Sequence, residues 1–232
     1  PSPPSPPPVP PLPPPPPMPP WVPPYSSPPG LCEIEMDLVL VLDKSGSMYG
    51  LTPQVKAFAS ELVSQFEIRP SLTRVGVVEF SSSSSTLIGM SGSSADVASA
   101  IGSLSSPGGW TSISSGLERG MRLIQGGGRP CSGEKCVVFL LTDGQQSSQY
   151  GGSNAAVVTA SVLKLAGMKV FAVGFGTAKK ATLDAMASSP SSQYSYLGTS
   201  LADIQQHFQA FCSLVGSPQP PPLPPTPPAS PS

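Results

Sequence analysis

Short, nearly continuous apolar runs separated by amphipathic stretches dominate the central part of this sequence. Runs of this kind, ended by Asp or Gly, are typical of parallel strands that are buried on both faces of a sheet. We expect STLIGM (85–90), which closely follows the run TRVGVVEFS (73–81), to pair with it as an antiparallel hairpin. The other four predicted strands are EMDLVLVLD (35–43), CVVFLLTD (136–143), KVFAVGFG (169–176) and, at one edge, YSYLG (194–198).

Apolar residues at helical spacing lie between the predicted strands and indicate amphipathic helices. Because strands and helices alternate along the chain, the sequence predicts an α/β fold. We expect a doubly wound, mostly parallel open sheet with one antiparallel edge strand and helices on both faces. The four predicted apolar stripes are Val55, Phe58, Leu62 and Phe66; Ile113, Leu117, Met121 and Ile124; Val158, Val162 and Leu165; and Leu201, Ile204, Phe208 and Phe211.

Proline divides the sequence into three parts. Of its 33 prolines, 19 lie in residues 1–30 and nine in residues 217–232, whereas all 12 basic and 13 acidic residues lie between these segments. We therefore predict one domain at 31–216, with a proline-rich tail or spacer on each side of it. Runs of proline favour the extended polyproline II conformation, which we expect for both tails.

Charge and hydropathy exclude two classes of partner. The formal net charge is −1 and the sequence has no cluster of Lys or Arg, so nucleic acid and anionic membrane surfaces are poor partners. No apolar run approaches the roughly 20 residues that a membrane-spanning helix needs. We expect no membrane span in this chain.

Four cysteines indicate two disulfides. Cys32 precedes the first predicted strand and Cys212 ends the last predicted helix, so a bond between them would close the domain, while a Cys131–Cys136 bond would staple a loop. Two disulfides indicate an oxidising compartment. Four reduced thiols in a cytosolic protein are the alternative. Zinc binding has weaker support, because the sequence has no CxxC pair with a histidine partner.

Polar residues follow two of the predicted strands at the point where each strand ends. Asp43, Ser45 and Ser47 lie in VLDKSGSM, Asp143 lies in LLTDGQ, and Thr111 opens a helix after the glycine-rich stretch PGGW. Ligands of such sheets bind beyond the carboxyl ends of the strands. Two carboxylates held there repel each other unless a cation lies between them or one is protonated. Carboxylate and hydroxyl oxygens suit Mg²⁺, with Mn²⁺ or Ca²⁺ as substitutes.

These three blocks resemble the metal-ion-dependent adhesion site (MIDAS) of the von Willebrand factor type A family, and the resemblance covers about residues 35–213. It implies that Asp43, Ser45 and Ser47 contact the metal, and that Thr111 and Asp143 bind it directly or through water. It also implies that a Glu or Asp of a partner protein completes the coordination. The alternative is a metal-free loop in which the two aspartates cap helices and turns.

Several residues next to these blocks in sequence are candidates for the rim of the site. Tyr49, Trp110 and Gln145 adjoin the candidate ligands, and exposed aromatic residues there would contact a partner protein. Trp110 could instead pack onto the following helix. We interpret Lys44 as a solvated side chain rather than a rim cation, and His207 as a partly exposed surface residue rather than a catalytic base.

The proline-rich tails resemble those of hydroxyproline-rich glycoproteins of plant and green algal walls and ciliary coats. This resemblance implies an extracellular location in a cell wall, matrix or ciliary surface; a bare linker or a cytosolic ligand of SH3-like domains is the alternative. We expect an adhesion or matrix-assembly module that binds an acidic residue of a protein ligand, with other matrix glycoproteins as further partners. The alternative is a structural wall or ciliary-coat component. We do not expect an enzyme.

Overall fold

Six strands in the described part of the chain form one mostly parallel sheet. The computed structural model describes residues 31–131 and 135–216, so both predicted proline-rich tails, and their predicted conformation, lie outside the described residues. The strands are β1 (Asp37–Asp43), β2 (Arg74–Phe80), β3 (Ser84–Ser91), β4 (Cys136–Thr142), β5 (Lys169–Gly174) and β6 (Ser195–Leu197). Their order in the sheet is β3-β2-β1-β4-β5-β6. Only β3 runs antiparallel to its neighbour, which confirms the predicted antiparallel edge strand.

The described residues also form eight α-helices and two 3₁₀ turns. The 3₁₀ turns are Gly46–Met48 and Ser148–Tyr150. The helices are α1 (Thr52–Ser64), α2 (Ser94–Gly102), α3 (Ile113–Gly126), α4 (Gly152–Leu165), α5 (Lys180–Met186), α6 (Ser191–Tyr194), α7 (Leu201–His207) and α8 (Phe211–Gly216). None of the helices in these residues is long and apolar enough to cross a membrane.

Helices cover both faces of the sheet, as predicted. On one face Gly120 of α3 lies over β1, so closely that an added Cβ would be 3.1 Å from Val41 Cγ2. On the other face Phe139 of β4 packs against Phe58 of α1 and Phe211 of α8, with ring centroids 5.8 and 5.3 Å apart. The residues of β1 and β4 are buried throughout, which explains why their sequences are almost continuously apolar.

The predicted apolar stripe of α4 was wrong. Its residues Val158, Val162 and Leu165 are 63%, 47% and 88% exposed. The buried residues of this helix are instead Ala156, Ala160 and Leu163. Both sets have the spacing of one helical face, so periodicity alone favoured the larger side chains. Two alanines on the inner face allow α4 to approach its neighbours closely, and close packing therefore selects the smaller residues.

Both predicted disulfides are present, and none of the four cysteines is free. The Cys32–Cys212 bond joins the segment before β1 to α8. The Cys131–Cys136 bond links the start of β4 to the chain just before it. The ends of the domain are therefore covalently joined.

A buried ion pair, which no local sequence pattern indicates, lies at the amino end of β1. The carboxylate of Asp37 is fully buried and accepts hydrogen bonds from Arg74 Nε at 2.8 Å and from Arg129 Nη1 at 3.3 Å. Arg129 also donates to the carbonyl of Leu72 at 2.6 Å. Paired charges of this kind tolerate burial, whereas removal of one partner leaves an uncompensated charge.

Gly116 and Gly126 of α3 provide a matched test of how closely this helix packs on the sheet. A Cβ at Gly116 would lie 2.8 Å from both Phe80 Cδ1 and Val41 Cγ1, whereas a Cβ at Gly126 would meet no atom within 4 Å. We expect Gly116→Ala to lower the free energy of unfolding by about 1–3 kcal/mol through overpacking. Gly126→Ala should raise it by up to about 1 kcal/mol. Urea denaturation measures both, and equal effects would contradict the close packing.

The two disulfides should contribute unequally to stability, because they close loops of very different length. The sequence separations are 180 residues for Cys32–Cys212 and five for Cys131–Cys136. Loop-closure entropy predicts losses of about 5 kcal/mol for the Cys32→Ala/Cys212→Ala variant and about 2 kcal/mol for Cys131→Ala/Cys136→Ala. Chemical denaturation of the two double variants beside the wild type tests this order, and a larger loss in the second variant would contradict it.

Candidate metal centre

The carboxyl ends of β1 and β4 lie side by side in the middle of the sheet. Asp43 is the last residue of β1 and Asp143 directly follows β4, and the register pairs Leu42 with Leu141. The chain leaves β1 toward β2 on one side and later returns to β4 on the other. Strand order therefore reverses between β1 and β4, and this position in an open α/β sheet is where ligands bind.

A chain of side-chain contacts joins the candidate ligands after β1 to the one after β4. Ser45 Oγ and Ser47 Oγ are 3.2 Å apart, and Ser47 Oγ donates to Asp143 Oδ1 at 2.7 Å. The carboxylate of Asp43 accepts a hydrogen bond from the backbone N–H of Ser45 at 2.7 Å. Four of the five predicted ligands are therefore brought together by direct contacts.

Thr111 lies on the loop opposite Asp143. Its backbone N–H donates to Ser147 Oγ at 3.1 Å, and its carbonyl accepts from the N–H of Ser147 at 2.9 Å. A Cβ added to Gly144 would be 4.0 Å from Thr111 Oγ1, which places this hydroxyl beside the residue that follows Asp143. The side chain of Thr111 is buried.

Glycines allow the loop before Thr111 to lie against the loop after β1. The N–H of Gly46 donates to the carbonyl of Gly109 at 2.9 Å, and the N–H of Gly108 donates to the carbonyl of Lys44 at 2.8 Å. Gly109 has a φ of +81°, a backbone conformation that favours glycine. The two loops therefore hold each other through their backbones.

Both aspartates are buried without an ion-pair partner among the described residues. Burial raises the pKa of Asp43 to about 6, although hydrogen bonds from Thr142 and Ser45 oppose the increase. Burial also raises the pKa of Asp143, against the hydrogen bond from Ser47. Two carboxylates in this condition, with three hydroxyls beside them, fit a hard divalent cation.

Hydroxyls must make up most of the donor set at this site. In residues 31–131 and 135–216 no group of three or more His, Cys, Asp or Glu side chains could hold a metal ion. With only Asp43 and Asp143 ionisable, the set is poorer in charge than a site formed by several carboxylates. It is also free of nitrogen and sulfur, which favours Mg²⁺ over softer metals.

The predicted rim residues differ in exposure. Tyr49 is 85% exposed and Trp110 is 61% exposed. Gln145 is half-buried, and its Nε2 donates to the carbonyl of Thr177 at 3.5 Å. Contact of these three residues with a partner stays a prediction.

The interpretation of Lys44 as a solvated side chain was wrong. Its Nζ donates to Ser105 Oγ at 2.8 Å and lies 3.4 Å from the Glu79 carboxylate. By contrast His207 is an exposed residue, as predicted, and its ring stacks on Tyr196 with centroids 3.7 Å apart.

Sequence reasoning missed three residues that support the site. Thr142 donates from Oγ1 to Asp43 Oδ2 at 2.6 Å, and Ser147 holds Thr111 as described above. Gln146 is buried; its Oε1 accepts from the N–H of Ser114 at 2.7 Å, in the first turn of α3. The sequence did contain an indication of the role of Thr142, because it is the one hydroxyl residue in the otherwise apolar run CVVFLLT. Gln146 and Ser147 had no comparable signal.

Comparison with known proteins gives one family. The family model described as von Willebrand factor type A domain matches residues 37–210. The chain is 30% identical to Matrilin-1 of Bos taurus over 165 residues, which is 68% of this chain and 29% of Matrilin-1. It is 32% identical to von Willebrand factor A domain-containing protein 2 of Xenopus laevis over 162 residues, or 66% of this chain and 19% of that protein.

Solved structures show the same fold. Proximal thread matrix protein 1 from the mussel byssus, solved with a zinc-occupied MIDAS motif, superimposes with a TM-score of 0.65 at 28% identity. The match covers 78% of this chain and 47% of that one. This chain therefore spans less than half of that structure's chain and less than a third of the two curated relatives above.

The buried, unpaired charge of Asp43 should destabilise the metal-free protein. Its pKa is about 6 in the folded state against 3.8 as the ordinary value, so the unfolded chain loses this proton at lower pH and stability falls as pH rises from about 4 to 6. We expect Asp43→Asn to raise the free energy of unfolding at pH 7 in chelator by up to about 3 kcal/mol.

Urea denaturation at pH 7 and at pH 4 measures this effect. The gain of Asp43→Asn should largely disappear at pH 4, because the wild-type carboxyl is then mostly protonated in the folded state. If Asp43→Asn is less stable than the wild type at pH 7, the charge of Asp43 does not destabilise the metal-free protein.

Proposed function

The chain belongs to the von Willebrand factor type A domain family, and on this premise we propose that it is an extracellular adhesion or matrix-assembly module that binds a partner protein through a divalent cation. One observation carries the proposal: Asp43 and Asp143, two buried carboxylates with no basic partner in residues 31–131 and 135–216, lie beside Ser45, Ser47 and Thr111 where the strand order reverses. A protein keeps such charges at a cost in stability, which a bound cation would offset.

Mg²⁺ is the proposed cation, with Mn²⁺ or Ca²⁺ as substitutes. Asp43, Ser45, Ser47, Thr111 and Asp143 would hold it, and when bound it supplies a positive charge that attracts an outside carboxylate. Zinc occupies the motif of the mussel thread matrix protein, which supports divalent-cation binding as the shared chemistry. The all-oxygen donor set of this chain favours a harder ion.

The proposed ligand is an exposed Glu or Asp of a partner protein. Only two of the five candidate ligands carry charge, so a bound Mg²⁺ would keep enough positive charge to attract a third carboxylate. Ser47 is exposed beside the buried Asp43 and Asp143, which leaves an approach from solvent. The exposed rings of Tyr49 and Trp110 would then contact the surface around that acidic residue.

The relatives support the kind of partner that we propose. Matrilin-1 and the mussel protein support other matrix glycoproteins as partners and a matrix as the location. The 19 prolines in residues 1–30 support a second candidate, a structural component of a cell wall or ciliary coat. The two candidates differ in one respect: an adhesion module releases its partner when the cation is removed, whereas a structural component does not.

We also propose that the chain is a binding module rather than an enzyme. Its single histidine, His207, stacks on Tyr196 and packs against Phe208, so the ring has partners within its own part of the fold. Metal-assisted hydrolysis needs a general base near the cation as well as an open coordination position. The five candidate ligands supply only hydroxyls and two carboxylates.

Mg²⁺ titration of the full chain, after removal of metals with chelator, tests the proposal. We expect binding in the wild type and its loss in Asp43→Ala and in Asp143→Ala, because each variant removes half of the negative charge at the site. Asp184→Ala is the matched control, since Asp184 pairs with Lys180 on the surface. Isothermal titration calorimetry gives the affinity, and wild-type affinity in both variants would refute the site.

Retention of wall or matrix glycoproteins on the immobilised chain then separates the two candidate functions. If the chain is an adhesion module, it should retain these glycoproteins in Mg²⁺ and release them in chelator, and the Asp43→Ala variant should not retain them. Retention that survives both chelator and the substitution would favour the structural component.

A further inference from the structure

A third buried carboxylate, Glu79, lies near the candidate metal centre but is not one of its ligands. It is the next-to-last residue of β2. Its Oε2 accepts from the backbone N–H of Ser105 at 3.0 Å, and its Oε1 accepts from Ser105 Oγ at 2.9 Å and from Ser85 Oγ at 3.1 Å. Lys44 Nζ lies 3.4 Å from Oε1. Glu79 therefore has every feature of an ionised, fully partnered side chain.

Two partners of Glu79, Ser105 and Lys44, belong to the two segments that carry candidate ligands, while the third, Ser85, lies in β3. Ser105 stands six residues before Thr111, at the start of the loop between α2 and α3. Lys44 directly follows Asp43, and its Nζ also donates to Ser105 Oγ at 2.8 Å. One carboxylate thus ties the first part of the Thr111 loop to the loop after β1.

Without this tie the Thr111 loop would depend on contacts near its far end. Those contacts include the backbone hydrogen bonds from Gly108 to Lys44, from Gly46 to Gly109 and from Ser112 to Ser81. They also include the two hydrogen bonds between Thr111 and Ser147 and the one from the N–H of Trp110 to Ser82 Oγ. Two glycines in a row make the segment flexible, so the fixed position of Ser105 shortens the part of the loop that is free to move.

Glu79 also holds the ammonium group of Lys44. A lysine directly after Asp43 is close enough in sequence to compete with a cation for the charge of the two aspartates. The hydrogen bond to Ser105 and the ion pair with Glu79 keep Nζ engaged on the β2 side of the loop. Burial raises the pKa of Glu79, but the hydrogen bonds from Ser105 and the charge of Lys44 outweigh it and leave this pKa lowered.

We propose that Glu79 is a positioning residue of the metal centre, which anchors Ser105 so that the loop presents Thr111 and which keeps Lys44 away from the two aspartates. The proposal rests on the proposed function, because it concerns the affinity of the same site for Mg²⁺. Groups that orient metal ligands from outside typically contribute 10- to 100-fold to metal affinity.

The substitution Glu79→Gln tests this role, since it keeps the shape of the side chain and removes its charge. We expect about a tenfold lower Mg²⁺ affinity of the full chain by calorimetry. In chelator, we expect faster hydrogen–deuterium exchange in residues 104–111. Ser105→Ala is a milder second variant that removes only the hydroxyl partner, and it should change both readouts in the same direction.

Two controls separate positioning from general loss of stability. Asp37→Asn alters an equally buried, basic-paired carboxylate at the other end of the sheet, and Ser93→Ala removes a hydroxyl that accepts from the N–H of Asp96 at the start of α2. Both should leave Mg²⁺ affinity and exchange in residues 104–111 unchanged. If Asp37→Asn does not fold, Ser93→Ala still serves as the control for Ser105→Ala.

The outcomes are distinct for this proposal and for the function on which it rests. Wild-type affinity and wild-type exchange in Glu79→Gln would overturn the positioning role while leaving Mg²⁺ binding intact. If the wild type binds no Mg²⁺, the proposed function fails. Hydrogen–deuterium exchange alone then tests whether Glu79 anchors the loop. Unchanged exchange then refutes the anchoring of the loop, and faster exchange confined to residues 104–111 supports it.

Discussion

The parallel pairing of β1 with β4 is the contact on which the rest of this structure depends. It joins two strands that lie about one hundred residues apart in sequence and places their carboxyl ends together. The reversal of strand order at this pair opens a crevice above the sheet, and it brings Asp43 and Asp143 into one group with Ser47 between them. The helices that cover the two faces and the Cys32–Cys212 bond at the ends of the domain secure this pairing, while the loops above it carry the chemistry.

Buried carboxylates lie at both ends of the sheet, and they differ in their partners. At the amino end of β1, Asp37 is paired with Arg74 and Arg129, so its charge is compensated within the protein. At the carboxyl end, Asp43 and Asp143 have only hydroxyl and amide partners in the described part of the chain, and burial raises the pKa of each. Compensated charges can be buried without a large cost, whereas uncompensated charges reduce stability and are suited to binding a cation. Glu79 lies near the uncompensated aspartates, but its own charge is compensated, because Lys44 and Ser105 are its partners.

The strands were easier to predict than the helix faces. Almost unbroken apolar runs such as DLVLVLD have few alternatives to a buried parallel strand, and all six predicted strands are present. In α4, two sets of residues had the same spacing, and the larger side chains proved to be the exposed ones. The choice between them depends on how closely the neighbouring elements approach, which periodicity does not report. Lys44 shows the same limit, since its partner Glu79 lies 35 residues away in sequence and becomes a neighbour only through the pairing of β1 with β2.

The sequence by itself determined the fold class, the strand ends and the residue types that gather there, because hydrophobic period and turn chemistry are local properties of the chain. It also indicated the two disulfides, from the positions of four cysteines. The tertiary structure alone decided which partners each buried charge has: two arginines for Asp37, a lysine for Glu79 and, among the residues that the structure describes, hydroxyls and amides for Asp43 and Asp143. The energy of a buried charge depends on neighbours within a few ångströms, and these neighbours come from segments far apart in sequence.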